Sequence, residues 1–331
     1  MKVLIHRHNA PHPARGNDGV GRAVDALLWG YSQLGVDVDF YNTHPKNEYQ
    51  EYFESIYKGH VRVVKKYQDD DYDIINFHGD LPEDTKWGKK HVRTLHWVVV
   101  GQEITKLMQQ NVHTVVGVSE ACMRGNGIWD QGQQDVVHSA LYLDSVHKRE
   151  IQTRIRQKDD YYIWLGGTDW AEQKGLFSAI QVAKTLNIRL LIYGDGQNQE
   201  VLSALAQAQT NKIKYMGPTK GDADKYDIMA RSRGLLYPTL IPDGCPMTVI
   251  EALSCGCPVF CYDHSALPEI MESGLGFMSE TGNLRMYIKN IAMSNHTSWD
   301  YAKIAMTAQL KFDPLKAAKQ YLAIYNKILN I

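Results

Sequence analysis

Short apolar runs separated by helical patterns recur from one end of the chain to the other, and this alternation limits the fold more than any other feature. Lys2–His6, Val36–Tyr41, Asp73–Phe77, Arg93–Trp97 and Thr114–Val118 read as strands, and Val136–His138 closes the first half. These runs are apolar on both faces, as parallel strands covered by helices must be. Gly21–Leu34 reads as a helix, because Val24, Leu27, Leu28, Tyr31 and Leu34 fall on one face and Gly35 ends it. The charged stretch HKREIQTRIRQKDD, His147 to Asp160, interrupts the rhythm and marks a domain boundary. The pattern then restarts. Tyr161–Leu165, Arg189–Tyr193, Lys214–Met216, Gly234–Tyr237 and Pro258–Tyr262 are strands, with helices at Gly175–Leu186 and Glu200–Ala208. The expectation is an α/β protein of two doubly wound, Rossmann-like domains facing across a cleft, with ligands at the carboxyl ends of the strands.

Composition narrows the function. At 331 residues and 44% hydrophobic content the chain can bury two sizeable cores. No apolar run approaches the roughly 18 residues of a spanning helix. The opening MKVLIHRHN turns polar after the first strand, unlike a signal peptide. Five cysteines, with Cys255, Cys257 and Cys261 bunched together, do not form a disulfide framework and read as small core residues. A reducing, cytoplasmic setting is expected. A net charge of −1 offers no field for nucleic acid. The basic group Lys86, Lys89, Lys90, His91 and Arg93 reads as a solvated surface, with an acidic acceptor or a phospholipid surface as the alternative. Eleven of the thirteen histidines precede residue 150, none at the spacing of a helical metal site, and His6, His8 and His12 only alternate loosely about a strand end.

IPDGCPMTVIEALSCGCPV, Ile241 to Val259, carries the clearest chemistry. It follows the strand Gly234–Tyr237. Pro246 suits the first position of a helix running from about Met247 to Cys255, and Gly256 stops it. The amides of Met247 and Thr248 are then placed to meet an anion. A carboxylate at Glu251, one turn in, suits ribose hydroxyls better than a phosphate. Asp243 lies on the other side. The spacing fits a nucleotide diphosphate joined to a third polar group such as a sugar.

The segment resembles the acid-x7-Glu signature of retaining glycosyltransferases of the GT-B fold, family GT4, with Asp243 and Glu251 as the two acids. Similar motifs follow in order: GNDGVGRA (Gly16–Ala23), DYDIINFHG (Asp71–Gly79), VRTLHW (Val92–Trp97), VVGVSEACM (Val115–Met123), YIWLGG with EQKGL, LLIYGDG (Leu190–Gly196) and LPEIM (Leu267–Met271). The resemblance implies an acceptor-binding domain over 1–148, a nucleotide-sugar domain over 149–313, and a helix over 314–331 returning to the first. It implies that Glu251 binds ribose, Asp243 the donor sugar, Lys174 the pyrophosphate, and that His96 faces the transferred sugar. Gly19, Gly21, Gly166, Gly244, Cys245, Met247 and Thr248 would approach the donor. It further implies a nucleotide diphosphate-sugar donor, a UDP-sugar first among them, and no metal or cofactor. The acceptor would be a glycan, a lipid-linked saccharide or a small molecule, with peripheral contact at the inner face of the membrane left open. Two departures stand out: the first acid is Asp where Glu is commoner, and Gly167 follows Gly166 where the family usually has Arg.

Each residue also has a plainer reading. Asp243 suits any helix approach, Ser119 a helix cap, and Lys174 an ordinary surface turn. His96 is equally a core histidine. The glycines at 16, 19 and 21 do not spell a dinucleotide fingerprint. Two other functions share the fold: a sugar-nucleotide 2-epimerase, which the many N-terminal histidines suit, and a non-catalytic nucleotide-sugar-binding subunit, which the missing arginine suits.

Overall fold

The computed structural model describes residues 1–7, 18–43, 56–57, 59–79, 88–98, 114–128 and 133–330. His8, His12, Gly16 and Lys86 lie outside them. The chain divides into two compact units: unit 1 comprises Met1–Tyr142, Asp243–Met247 and Phe312–Ile331, and unit 2 comprises Leu143–Pro242 and Thr248–Lys311.

Unit 1 holds strands β1 (Val3–His6), β2 (Val38–Tyr41), β3 (Val61–Val64), β4 (Ile74–His78), β5 (His91–Leu95), β6 (Thr114–Gly117) and β7 (Gln133–Val136). Unit 2 holds β8 (Tyr162–Leu165), β9 (Leu190–Tyr193), β10 (Ile213–Gly217), β11 (Leu235–Tyr237), β12 (Val259–Tyr262) and β13 (Gly276–Ser279). In chain order the α-helices are α1 (Gly19–Gln33), α2 (Glu120–Gly125), α3 (Ser145–Arg154), α4 (Leu176–Leu186), α5 (Gln199–Ala208), α6 (Asp222–Arg231), α7 (Met247–Ser254), α8 (Leu267–Ile270), α9 (Leu284–Met293), α10 (Tyr301–Lys311) and α11 (Pro314–Leu329).

The sheet of unit 1 runs β3-β2-β1-β4-β5-β6-β7, and that of unit 2 runs β10-β9-β8-β11-β12-β13. All the pairings are parallel. Strand order reverses between β1 and β4 and between β8 and β11, the two crevices where such sheets take ligands.

In unit 1, α1 is capped by Asp18, whose carboxylate accepts from the amides of Val20 and Gly21. Helix α11 packs on α1. A Cβ at Gly30 would stand 2.4 Å from the carbonyl oxygen of Pro314 and 2.8 Å from Ala318 Cβ, so this contact requires glycine. A polar network threads the apolar core of unit 1: Tyr325 accepts from Tyr31 at 3.1 Å and from the Asn76 amide at 2.8 Å, and Asn76 accepts from Thr94 at 2.8 Å. Buried and mutually satisfied, these groups fix the register of α11 against α1, β4 and β5.

One strand, β3, escapes the sequence reading, and two expectations shift. The edge strand β3 carries Arg62, which is exposed and bound to Asp39 on β2 at 2.9 and 2.6 Å, so it lacks the continuous apolar run of an interior strand. The charged stretch after residue 144 contributes α3, capped by Asp144 and paired through Arg154 with Asp227 at 2.7 Å. Strand β5 ends at Leu95, and Trp97 instead makes a lone antiparallel bridge with Asp243. The basic group is partly spent: Lys90 bonds the carbonyl of Asp69 at 2.6 Å, His91 meets the Asp69 carboxylate at 3.1 Å, and Arg93 is buried with its guanidinium on the carbonyl of Gly79.

Candidate active site

Unit 2 builds its crevice around β8 and β11. The indole of Trp164, fully buried on β8, donates to the carbonyl of Lys174 at 3.1 Å and so pins the turn that follows the strand. That turn is locked from two further sides. Leu240 N–H donates to the carbonyl of Gln173 at 2.8 Å, and a Cβ at Gly175, whose φ is +73°, would lie 2.1 Å from the carbonyl oxygen of Pro238. Gly166 sits at the end of β8 beneath the Lys174 side chain, since a Cβ there would meet Lys174 Cδ at 3.3 Å. Gly194 approaches Gly166 so closely that a Cβ would fall 1.9 Å from its carbonyl oxygen. Two backbones and one lysine thus converge at the carboxyl end of the sheet. Among the described residues, Lys174 makes no ion pair.

Glu251 lies in the second turn of α7 and is 3% exposed. Its Oε1 accepts from the ammonium of Lys225 on α6 at 2.6 Å, and Asp222 stands 3.6 Å from the same ammonium. Burying one charge alone is prohibitive, so the pair forms as a unit. Lys225 and the whole of α6 escape the sequence reading, because DADKYDIMAR mixes charges with its apolar positions. Gly256 ends α7 with φ +65°, as expected, and Cys255, Cys257 and Cys261 are buried and form no disulfide, Cys257 Sγ lying 2.9 Å from the Ser232 hydroxyl.

Unit 1 brings a second group together. Besides the Trp97 bridge, Asp243 accepts from the Cys245 amide at 3.3 Å. Gly244 lies flat against the end of β5: a Cβ would be 2.5 Å from the carbonyl oxygen of His96 and 3.3 Å from Cys122 Sγ. A Cβ at Gly19 would meet the Met247 side chain at 3.4 Å. His96, Asp243, Gly244, Cys245, Met247 and Gly19 therefore share one neighbourhood. Gly21 does not present a free amide there, because Asp18 accepts its N–H at 3.2 Å. Ser119 caps α2 through the amide of Cys122 at 2.9 Å.

His96 has a partner that the sequence does not reveal. His78, at the end of β4, places Nδ1 2.9 Å from His96 Nε2. Both rings are buried. Burial pushes His78 down to about 3, helped by the positive charges of Arg7 and Arg93 and by His6. His96 is held well below the ordinary histidine range by burial, then by His78, Arg7 and Arg93. Both imidazoles are neutral at physiological pH. Among the described residues no three His, Cys, Asp or Glu side chains are placed to share a metal ion.

Residues 148–296 match the family described as glycosyl transferases group 1. That match covers a little under half of the chain. Over 194 residues it is 25% identical to a Campylobacter jejuni N-acetylgalactosaminyltransferase acting on a diphospho-undecaprenol-linked saccharide, covering 53% of this chain and 52% of that one. It is 31% identical over 109 residues to the O-antigen chain mannosyltransferase B of Escherichia coli, covering 28% of that protein. The chain thus spans about half, or less, of these curated relatives. AviGT4, a glycosyltransferase involved in avilamycin A biosynthesis, shares the fold over 99% of this chain and 98% of its own, with TM-score 0.72 and 17% identity. HepE of Anabaena, solved with UDP and glucose, does so over 99% of this chain and all of its own, with TM-score 0.70 and 15% identity. The fold is GT-B, and the matched segment contains the whole of the β8–β11 crevice, Lys174, Lys225 and Glu251. Among the described residues, no helix is long and apolar enough to cross a membrane.

Proposed function

We propose that this protein is a retaining, metal-independent glycosyltransferase that moves a sugar from a UDP-sugar to a saccharide acceptor, lipid-linked in the first instance. The observation that carries the reading is Lys174, laid over Gly166 at the carboxyl end of β8 with no carboxylate among the described residues to neutralise it. A cation held there by Trp164 and the Pro238 loop suits a departing diphosphate. Glu251, on a buried helix, suits ribose hydroxyls, and Asp243 and His96, neighbours in unit 1, suit the sugar.

In the proposed reaction the bond from sugar C1 to the diphosphate oxygen breaks as the acceptor hydroxyl oxygen bonds C1 on the same face. The hydroxyl proton passes to the departing diphosphate. Lys174 and the amides at the start of α7 meet the charge that develops. The lipid-linked acceptor is favoured by what the Campylobacter relative acts on, and UDP by the ligand of HepE. A protein with such an acceptor would work in the cytoplasm at the membrane's inner face.

The test is a thermal-shift screen over nucleoside diphosphates and their sugars, followed by turnover in EDTA with undecaprenyl diphosphate-linked saccharides and NMR of the product anomer. Stabilisation by UDP and a UDP-sugar, since a ligand of the folded state raises its stability by mass action, with metal-free turnover and retention, is expected. An inverted product, or a strict need for magnesium or manganese, overturns the mechanism. Turnover of donor alone into an epimer favours the 2-epimerase reading.

A further inference from the structure

We infer that His78 is a positioning residue that fixes His96 as the tautomer carrying its proton on Nδ1, so that His96 meets the sugar as a hydrogen-bond donor. The inference deepens the glycosyltransferase reading and rests on it for the identity of the ligand. Its structural half stands on unit 1 alone.

Adjacent parallel strands β4 and β5 pair His78 with Thr94, so His96, two residues beyond, reaches back to His78 from the loop after β5. The 2.9 Å contact joins His78 Nδ1 to His96 Nε2. With both rings neutral, one proton lies between these two nitrogens, and only two arrangements exist. If His96 Nε2–H donated, His78 would carry its remaining proton on Nε2. That nitrogen is buried and meets no hydrogen-bond partner among the described residues. The arrangement would leave an orphaned buried N–H, which proteins avoid more strictly than an under-used acceptor. If instead His78 Nδ1–H donates, His78 Nε2 is a bare acceptor, which costs less.

The second arrangement is therefore the stable one. It places the His96 proton on Nδ1, the nitrogen not engaged by His78. Neutral and deprived of charge by burial and two nearby arginines, His96 is a poor base. It is suited to donate to a hydroxyl oxygen of the transferred sugar. The ring nitrogen a histidine offers its ligand is set by the bond its other nitrogen makes.

The experiment is NMR of ring nitrogens in the ligand-free, full-length protein labelled with 15N-histidine. His96 signals are assigned from their absence in His96→Gln. In the wild type the Nδ1 signal should be that of a protonated nitrogen and Nε2 that of a bare one. His78→Asn, whose amide takes the place of the Nδ1 donor, should preserve this pattern. His78→Gln, whose amide lies too far along the side chain, should lose it, as should His78→Leu. With UDP-glucose, or whichever UDP-sugar stabilises the protein, His78→Gln should lower kcat about 10²-fold, the scale of losing one aimed donor. UDP affinity should stay near wild type, and His78→Asn should recover most of the rate. A wild-type His96 protonated on Nε2, or a pattern unchanged in both His78→Gln and His78→Leu, overturns the inference. If the tautomers behave as stated while neither wild type nor variants transfer sugar, the enzyme reading fails and the positioning role stands.

Discussion

Replacing Lys225 by Met leaves the Glu251 carboxylate buried with its principal cation gone. At 5% and 3% exposure the pair belongs with interior ion pairs, not with surface ones worth a fraction of a kcal/mol. Removing one member of an interior pair costs about 3–5 kcal/mol. Asp222, at 3.6 Å from the same ammonium, also loses a partner but is partly exposed and adds little. We expect unit 2 of Lys225→Met to lose about 3 kcal/mol, while Lys225→Met with Glu251→Gln recovers to within about 1 kcal/mol of wild type, because no unpaired charge remains. Urea unfolding followed through tryptophan fluorescence reads the transition, since Trp164 is fully buried in the same unit. A Lys225→Met protein within about 1 kcal/mol of wild type would refute the reasoning.

The remaining predictions concern the diphosphate, the sugar side and a buried lysine. Lys174→Ala should lower kcat/KM by about 10²–10³, and Lys174→Arg should recover only part, since a fork does not replace a point charge; a change within a few-fold removes Lys174 from the diphosphate. Gly167 has ordinary backbone geometry, and a Cβ placed there would find its nearest neighbour 3.8 Å away, so Gly167→Arg should fold and bind UDP several-fold more tightly by calorimetry. Gly244→Ala would force a methyl to within 2.5 Å of the His96 carbonyl oxygen and should cost most of the turnover, with UDP binding near wild type. Burial pushes Lys158 down to about 8, so the folded chain sheds its proton before the unfolded one; against Lys158→Met, the wild type should gain stability between about pH 8 and pH 10 in thermal melts.

Much of the fold was legible because each interior strand must be apolar on both faces, and runs such as Val3–His6 and Leu190–Tyr193 say so directly. Helix α7 was legible from its punctuation: Pro246 just ahead, Gly256 with φ +65° behind, and Glu251 alone among apolar neighbours. The elements that escaped are those whose burial is local and partial. Strand β3 is an edge held by an arginine, and β13 carries exposed Phe277 and Met278. Helix α6 hides its apolar face behind three aspartates and a lysine, and that lysine is itself buried.

The site divides along the same line. Periodicity assigns a residue to a face, and motif order assigns it a neighbourhood, but neither names the atom it touches. Glu251 was legible as a buried acid on α7; that it needs Lys225, 26 positions earlier, follows only from packing α6 against the start of that helix's second turn. His96 was legible as a histidine beyond an apolar strand, and its two readings, sugar contact or satisfied core histidine, stood level. The structure shows why they were hard to part. His96 satisfies one nitrogen on His78, as a core histidine does, and that bond does not engage its Nδ1. On the proposed reading, what looks from sequence like a choice between structure and function is one ring with a nitrogen for each.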